Sequence, residues 1–193
     1  MWLLKLPLCI LCADLLSGVI HWWEDTYGNP AWPGFGPAVI VPNLRHHRWP
    51  REFLAGTYWQ RNNTSYGLGI VLVALAWVAG LYTPWLALTL LLAVHANEVH
   101  RCAHRSPREN GRIVRWLQAA GVMQSARHHG RHHSAPYDCR YCIMTNVLNP
   151  VLDRLRFWLA LEWVLRRGFG VQVLRGSALR ESACEQQVRV RVG

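Results

Sequence analysis

Three stretches of the chain are apolar for long enough to cross a bilayer. Residues 2–20 are apolar except for Lys5 and Asp14, residues 66–82 carry no charge, and residues 85–101 are apolar apart from His95 until Asn97, Glu98 and His100. Each holds about 17–19 residues, roughly 26–29 Å as helix, close to the hydrocarbon thickness of a membrane. Thr83-Pro84 separates the second stretch from the third. The two are therefore expected to form a helical hairpin, with Pro84 at a first helical position, where its missing N–H costs nothing. Residues 111–126 hold Arg112, Arg115, Gln118 and Gln124. Residues 149–167 mix Leu, Phe and Trp with Asp153, Arg154, Arg156, Glu162, Arg166 and Arg167. Both are predicted as amphipathic helices lying along the membrane surface. Residues 28–42, rich in Gly and Pro, read as a loop. The polar tail beyond Gly168 ends in an alternating Val-Arg run at 188–192, a short strand or an unstructured end.

Composition sharpens this picture. At 193 residues the chain is one domain by size. Half of it is hydrophobic and it carries 11 Trp, which fits the aromatic belt of a membrane protein. Net charge is +10, from 21 basic against 11 acidic residues, and Lys5 is the only lysine. Such charge attracts the phosphates of lipid or nucleic acid. Three apolar spans exclude nucleic acid as the partner. Arg45, Arg48, Arg51 and Arg61 lie between the first two spans; Arg101, Arg105, Arg108, Arg112, Arg115, Arg127, Arg131 and Arg140 follow the third. The hairpin turn has no basic residue, so the positive-inside rule puts both basic regions on the cytoplasmic side, at the inner membrane if the cell is bacterial. The N-terminus lacks the basic region and cleavage site of a secretory signal, so residues 2–20 are expected to remain as an anchor. The 6 cysteines show no disulfide framework, and Cys139-x-x-Cys142 is a lone pair.

The chemistry lies in the histidines. His128, His129, His132 and His133 fall within one short run; His21, His46-His47, His100 and His104 precede it, and only His95 stands apart. Imidazole is the commonest neutral metal ligand. His100 and His104 are one helical turn apart, with Asn97 on the same face, and His128/His132 and His129/His133 repeat that spacing. In the first span Asp14, Gly18, His21, Trp22 and Asp25 form one stripe. Asp14 within the bilayer is either functional or a helix-packing hydrogen-bond acceptor. H-E-x-x-H and Glu-x-x-His are both absent, which removes the zincins and the soluble di-iron carboxylate pattern. An imidazole-rich set suits Fe, Zn, Cu or Ni, and so many histidines suit two ions better than one. The expected fold is an all-α membrane protein of about three transmembrane helices plus interfacial helices, capped by a cytoplasmic histidine-rich metal site.

Several blocks then match a known family in order and spacing. Ala13-Asp14-Leu15-Leu16-Ser17-Gly18-Val19-Ile20-His21-Trp22, His46-His47-Arg48-Trp49-Pro50, His100-x3-His104, and His129-x2-His132-His133 with Ala135-Pro136-Tyr137, Tyr141-Cys142 and Asn149-x-Val151-Leu152-Asp153 resemble the lipid desaturase family. That family includes plasmanylethanolamine desaturases of animals and bacteria and a plant plastid phosphatidylglycerol desaturase. The resemblance covers residues 11–168 and implies a desaturase domain at 1–170 with a tail at 171–193. It implies two Fe ions held by His21, His46, His47, His100, His104, His129, His132 and His133, with O2 as co-substrate. Asp25 is a ligand or orients one, and His128, Asn97 and Asp14 are further candidates around the centre. The substrate it implies is a chain of a membrane phospholipid, either a phosphatidylglycerol acyl chain or a plasmanyl ether lipid. Electrons come from an external ferredoxin or cytochrome b5-like donor, since no flavin or nicotinamide motif is present. Arg127 and Arg131 would hold the lipid phosphate or the donor. Gly56 and Tyr137 stand where the animal branch carries histidines, and the Ala-Pro-Tyr and His-His-Arg-Trp-Pro blocks look more like the plant branch. A lipid hydroxylase on the same histidine framework and a non-catalytic metal- or lipid-binding homologue are the alternatives.

Overall fold

The computed structural model describes residues 2–177 and 180–182. The described residues are helical with no strand; the 188–192 run lies outside them. Helix α1, Trp2–Tyr27, is the longest helix among the described residues, and its segment Leu4–Tyr27 is the one helix among them long and apolar enough to cross a bilayer. The carbonyls at and just beyond its C-terminal end are bound by Arg180. That guanidinium donates to Glu24 O, Asp25 O and Gly28 O. Leu174 N also donates to Thr26 O at 2.8 Å, so residues 174–177 and Arg180 lie against the end of α1.

The segment 28–42 departs from the expected loop. After a turn it enters a π-helical turn, Gly36–Ile40, that runs straight into α2, Val41–Arg48. Pro37 and Pro42 sit in the first turns of these two elements, where proline is helix-compatible. Gly36 is required, because a Cβ there would lie 2.3 Å from Pro30 O. A 3-10 turn, Pro50–Leu54, leads to α3, Tyr58–Val78. α3 starts well before the apolar stretch at 66 because Thr57 and Gln60 form a capping box: Gln60 N donates to Thr57 Oγ1 at 3.2 Å and Thr57 N to Gln60 Oε1 at 2.8 Å.

The third expected span is not one helix. α4, Pro84–Val94, begins with the proline at its first position and ends at His95; α5, Ala96–His104, follows. The His95 ring causes the break. Its Nδ1 donates to Leu91 O at 2.7 Å and its Nε2 accepts from Tyr66 Oη at 2.9 Å, while its backbone N–H turns to Leu92 O. The two amphipathic segments are also shorter than expected. The first is α6, Arg112–Ala119, followed by a short α7, Ala126–Gly130. The second is split into α8, Leu148–Arg154, and α9, Phe157–Phe169, because Arg156 adopts a left-handed conformation (φ 52°) between them.

α1 packs along α4, α4 along α3, and α5 meets α7. Through the centre runs the extended segment 141–145, buried at every residue. Its backbone is satisfied mainly by side chains, with Gln124 N donating to Met144 O at 2.7 Å. Asp14 accepts from Met144 N (2.8 Å), Thr145 N (3.1 Å) and Thr145 Oγ1 (2.6 Å). Asn149 accepts from Cys142 N (3.0 Å) and donates to Cys142 O (2.7 Å), which also receives Gln124 Nε2 at 2.6 Å. Gly18 lets this segment lie against α1, since a Cβ there would fall 2.6 Å from Cys142 Sγ. Tyr141 and Cys142 join Trp22, Tyr27 and Trp158 in one core cluster; Ile143 and Met144 join Ala13 and Ala96 in another.

Asp14→Ala removes one acceptor from two buried amides and a hydroxyl. It is expected to destabilise the fold by on the order of 3 kcal/mol, read as a lowered unfolding midpoint in detergent. An unchanged midpoint would mean that the segment is held by other contacts.

Candidate metal centre

Local structure delivers the histidines in pairs. α5 carries His100 and His104 one turn apart. α7, capped by the Ser125 hydroxyl accepting from His128 N at 3.2 Å, carries His129, and His133 follows one turn on. The end of α2 presents His46 and His47, and α1 presents His21 and Asp25.

The fold gathers these into two adjacent groups. His46, His100, His104, His129 and His133 form the first; His21, Asp25, His47 and His132 form the second. Within each, one nitrogen or oxygen per residue lies within 4.8 Å of all the others. The groups abut, with the His47 and His133 ring centroids 4.9 Å apart.

The donor geometry fits a cation better than a hydrogen-bond network. His100 Nε2 lies 3.1 Å from His46 Nε2, 2.9 Å from His104 Nε2 and 2.7 Å from His129 Nε2. One ring nitrogen carries either one proton or one lone pair, so it cannot satisfy three nitrogen neighbours by hydrogen bonding. Around a metal with bonds of about 2.1 Å, adjacent octahedral nitrogens are about 3.0 Å apart, which matches. His133 Nε2 stands 2.9 Å from His129 Nε2 in the same way.

In the second group His132 Nε2 is 3.2 Å from His21 Nε2 and 3.3 Å from Asp25 Oδ2. Asp25 Oδ1 accepts from Asn43 Nδ2 at 2.6 Å and lies 3.0 Å from His47 Nε2, while Oδ2 is buried without a hydrogen bond. The segment leading into 141–145 fixes two of these rings. His21 Nδ1 donates to Tyr141 O at 3.1 Å and His132 Nδ1 to Cys139 O at 2.8 Å. Both Nε2 lone pairs are thereby left facing the group, the usual way a ligand histidine is oriented. The first group lacks such acceptors: Nδ1 of His46, His129 and His133 has no partner among the described residues. Phe53 packs beside this group, its centroid 5.0 Å from His46 and 5.1 Å from His100.

Electrostatics keeps the imidazoles neutral. Burial, then neighbouring rings, pushes His46 and His129 well below the ordinary range and takes His104 to about 3 and His133 to about 2. At neutral pH each of these rings therefore keeps one nitrogen lone pair available to a cation.

The remaining candidates lie elsewhere. His128 faces away: Arg140 Nη1 lies 3.0 Å from both its ring nitrogens and Asn149 Nδ2 3.2 Å from Nε2. Burial, then Arg140 and Arg131, takes it to about 4. Asn97 donates to Arg61 O and Ser65 Oγ. Asp14 holds the 143–145 backbone. Arg127 and Arg131 are exposed on the outside of the α7 turn. Gly56 lies beside Arg61, which donates to its carbonyl, and the Tyr137 ring stands 5.5 Å from His47. Asn43, Phe53 and the carbonyls of Cys139 and Tyr141 were not expected. Asn43 carried a usable signal, one turn before His47 on the same face; the carbonyls carry none in a sequence.

A cavity of about 630 Å³ opens onto the centre between α1, α2, α3 and α4. His21, His46 and His100 line it at one end. On α3 its lining passes from Gln60, Arg61 and Thr64 to Leu68 and Leu72, with Leu90 opposite.

The sequence model of the lipid desaturase domain matches residues 10–174. The chain is 30% identical over 165 residues to a "Probable fatty acid desaturase" of Acanthamoeba polyphaga mimivirus, covering 82% of this chain and 80% of the relative. It is 32% identical to fatty acid desaturase 4, chloroplastic, of Arabidopsis thaliana (84% of this chain, 51% of the relative). To plasmanylethanolamine desaturase 1 of Mus musculus it is 30% identical (79% and 60%). The chain thus spans between half and two thirds of these plant and animal relatives. No solved structure matches it significantly.

Two measurements test the centre. His100→Ala and His21→Ala are each expected to remove one of two bound ions, seen by elemental analysis of purified protein; loss of both or neither from either variant would contradict two separate groups. The metal-free protein should lose stability as pH falls from about 6.5, because the unfolded chain takes up protons that His104 and His133 refuse in the fold until about 3 and 2. A thermal midpoint flat across that range would refute this.

Proposed function

The chain belongs to the lipid desaturase family, and from that membership we propose that it is a membrane-bound oxidoreductase that introduces a double bond into an acyl or alkyl chain of a phospholipid. The observation that carries the reading is the pair of adjacent histidine-rich groups at the polar end of a cavity lined further on by Leu68, Leu72 and Leu90. His21, His46, His47, His100, His104, His129, His132, His133 and Asp25 are the proposed ligands of two iron ions. When bound, iron supplies O2 activation and the one-electron steps that break unactivated C–H bonds. In balance, one O2, two external electrons, two protons and two chain hydrogens give two waters and one alkene.

The protein's own residues do the rest. Tyr141 O and Cys139 O fix the His21 and His132 rings, and Asn43 steadies Asp25. Leu68, Leu72 and Leu90 seat hydrocarbon and exclude water from the far end of the cavity. Leu72 lies about 16 Å further along α3 than Arg61, so a chain lying with its tail among the leucines offers its head-group end to the centre. This supports oxidation near the head group.

The exposed Leu4, Leu6 and Leu8 on α1, Ile70, Val71, Leu75 and Val78 on α3 and Leu91 on α4 support a lipid-facing belt made of α1, α3 and α4. α6 and α9 would lie at the interface through Ile113, Trp116, Leu159 and Trp163. The basic loops favour a cytoplasmic centre, and the exposed Arg127 and Arg131 favour contact with lipid phosphate or an acidic electron donor of the ferredoxin or cytochrome b5 kind.

Expression with a competent donor should yield host lipids lighter by two hydrogens, and His132→Ala should abolish them. A product heavier by one oxygen would assign hydroxylation instead, and stoichiometric zinc without iron would overturn the oxygen chemistry.

A further inference from the structure

A second cavity, of about 360 Å³, reaches the same centre from another side. It is lined by Asp25, His47, Arg48, Tyr137, Arg175 and Arg180, among others, and shares no lining residue with the larger cavity. α1 and α2 contribute residues to both cavities. From α2, Asn43 and His46 line the large cavity and Leu44, His47 and Arg48 line the small one; from α1, His21 and Glu24 line the large cavity and Asp25 lines the small one.

The two cavities differ in the residues that line them. The large one has a run of aliphatic side chains, Leu68, Leu72, Leu90 and Val94, beside its polar residues, whereas the small one, apart from Leu44 and Gly176, is lined by polar or charged residues, with three guanidinium groups and the carboxylates of Asp25 and Glu181. Two of those guanidinium groups are fixed. Arg175 pairs with Glu162 at 3.1 Å and donates to Tyr141 Oη at 2.6 Å, and Arg180 is held by the end of α1. Arg48 is exposed at the mouth. A hydrocarbon chain filling the large cavity leaves no path through it for water or polar solutes, since each would be stripped of hydrogen bonds on the way. The small cavity needs no such passage, because the Asp25 carboxylate and the His47 ring form its inner wall.

We infer that the smaller cavity is a separate aqueous entrance to the centre, admitting small neutral or anionic solutes while lipid occupies the larger one. The inference rests on the reading of the two groups as a metal centre. Arg48 raises the local concentration of anions at the mouth, an effect that salt screens.

Azide is a suitable probe, with cobalt(II) bound anaerobically to the full chain in lipid nanodiscs and binding followed by cobalt absorption. Leu44→Trp, which fills the small cavity, should slow azide association about tenfold or more, whereas Leu72→Trp, in the large cavity, should leave it unchanged. Arg48→Glu should slow association about tenfold at low ionic strength and abolish its salt dependence. Should Leu44→Trp fail to bind cobalt, the exposed Arg48→Glu decides alone. The entrance is refuted if wild-type cobalt protein ignores azide, if Leu72→Trp is the slowed variant, or if Arg48→Glu matches wild type. A wild-type chain that binds no cobalt would instead overturn the metal centre itself.

Discussion

A buried extended segment with no strand beside it must have its amides and carbonyls matched one by one, and in this protein side chains from three different elements do so. Asp14 on α1, Gln124 before α7 and Asn149 on α8 converge on residues 142–145. Asp14 lies 130 residues from Met144 in sequence, so holding the segment depends on its packing against α1. Its reward is functional. Once 142–145 is fixed, the preceding carbonyls of Cys139 and Tyr141 sit where the His132 and His21 rings need an acceptor. Gly18 completes the arrangement by letting the segment approach α1 closely enough for the Tyr141 carbonyl to reach His21.

That dependence explains why one stripe on α1 mixes such unlike residues. Asp14, Gly18, His21, Trp22 and Asp25 follow helical spacing, yet each meets a different need of the same neighbour or the same centre. Asp14 binds backbone, Gly18 makes room, Trp22 packs in the Tyr141–Trp158 cluster, and His21 and Asp25 face the second histidine group. The first histidine group is built on another principle. α5 and α7 bring their pairs together by helix packing, without acceptors for the outer ring nitrogens.

Much of this was legible in the sequence, for physical reasons that can be named. Helical one-turn spacing marks His100 with His104 and His129 with His133 as same-face pairs, and the structure brings both pairs to one point. His46 and His47 are adjacent, and adjacency on a helix end sends them to different groups. His128 shares the one-turn spacing with His132, but the short α7 turns it toward Arg140, which spacing alone does not reveal. Asn97 shares the His100 face yet is drawn off by the α3 carbonyl of Arg61. The hydropathy pattern located the apolar helices but not their ends. The Thr57–Gln60 capping box starts α3 early, His95 splits the third apolar stretch, and Arg156 splits the last amphipathic one. Each of these boundaries is set by a side chain competing for a backbone group or by one residue's backbone conformation, and hydrophobic periodicity reports neither.

The nine proposed donors include a single carboxylate, Asp25; the other eight are imidazoles that burial holds neutral wherever a shift is resolved outside the spanning helices. Two divalent ions bound there would keep most of their positive charge uncancelled by ligands, in surroundings that solvate charge poorly. Replacing anionic ligands by neutral imidazole raises the reduction potential of an iron site. Were the ions iron, as proposed, the composition of the donor set would bias the centre toward its reduced form, easing the task of whatever supplies electrons and leaving the oxidised form the stronger oxidant.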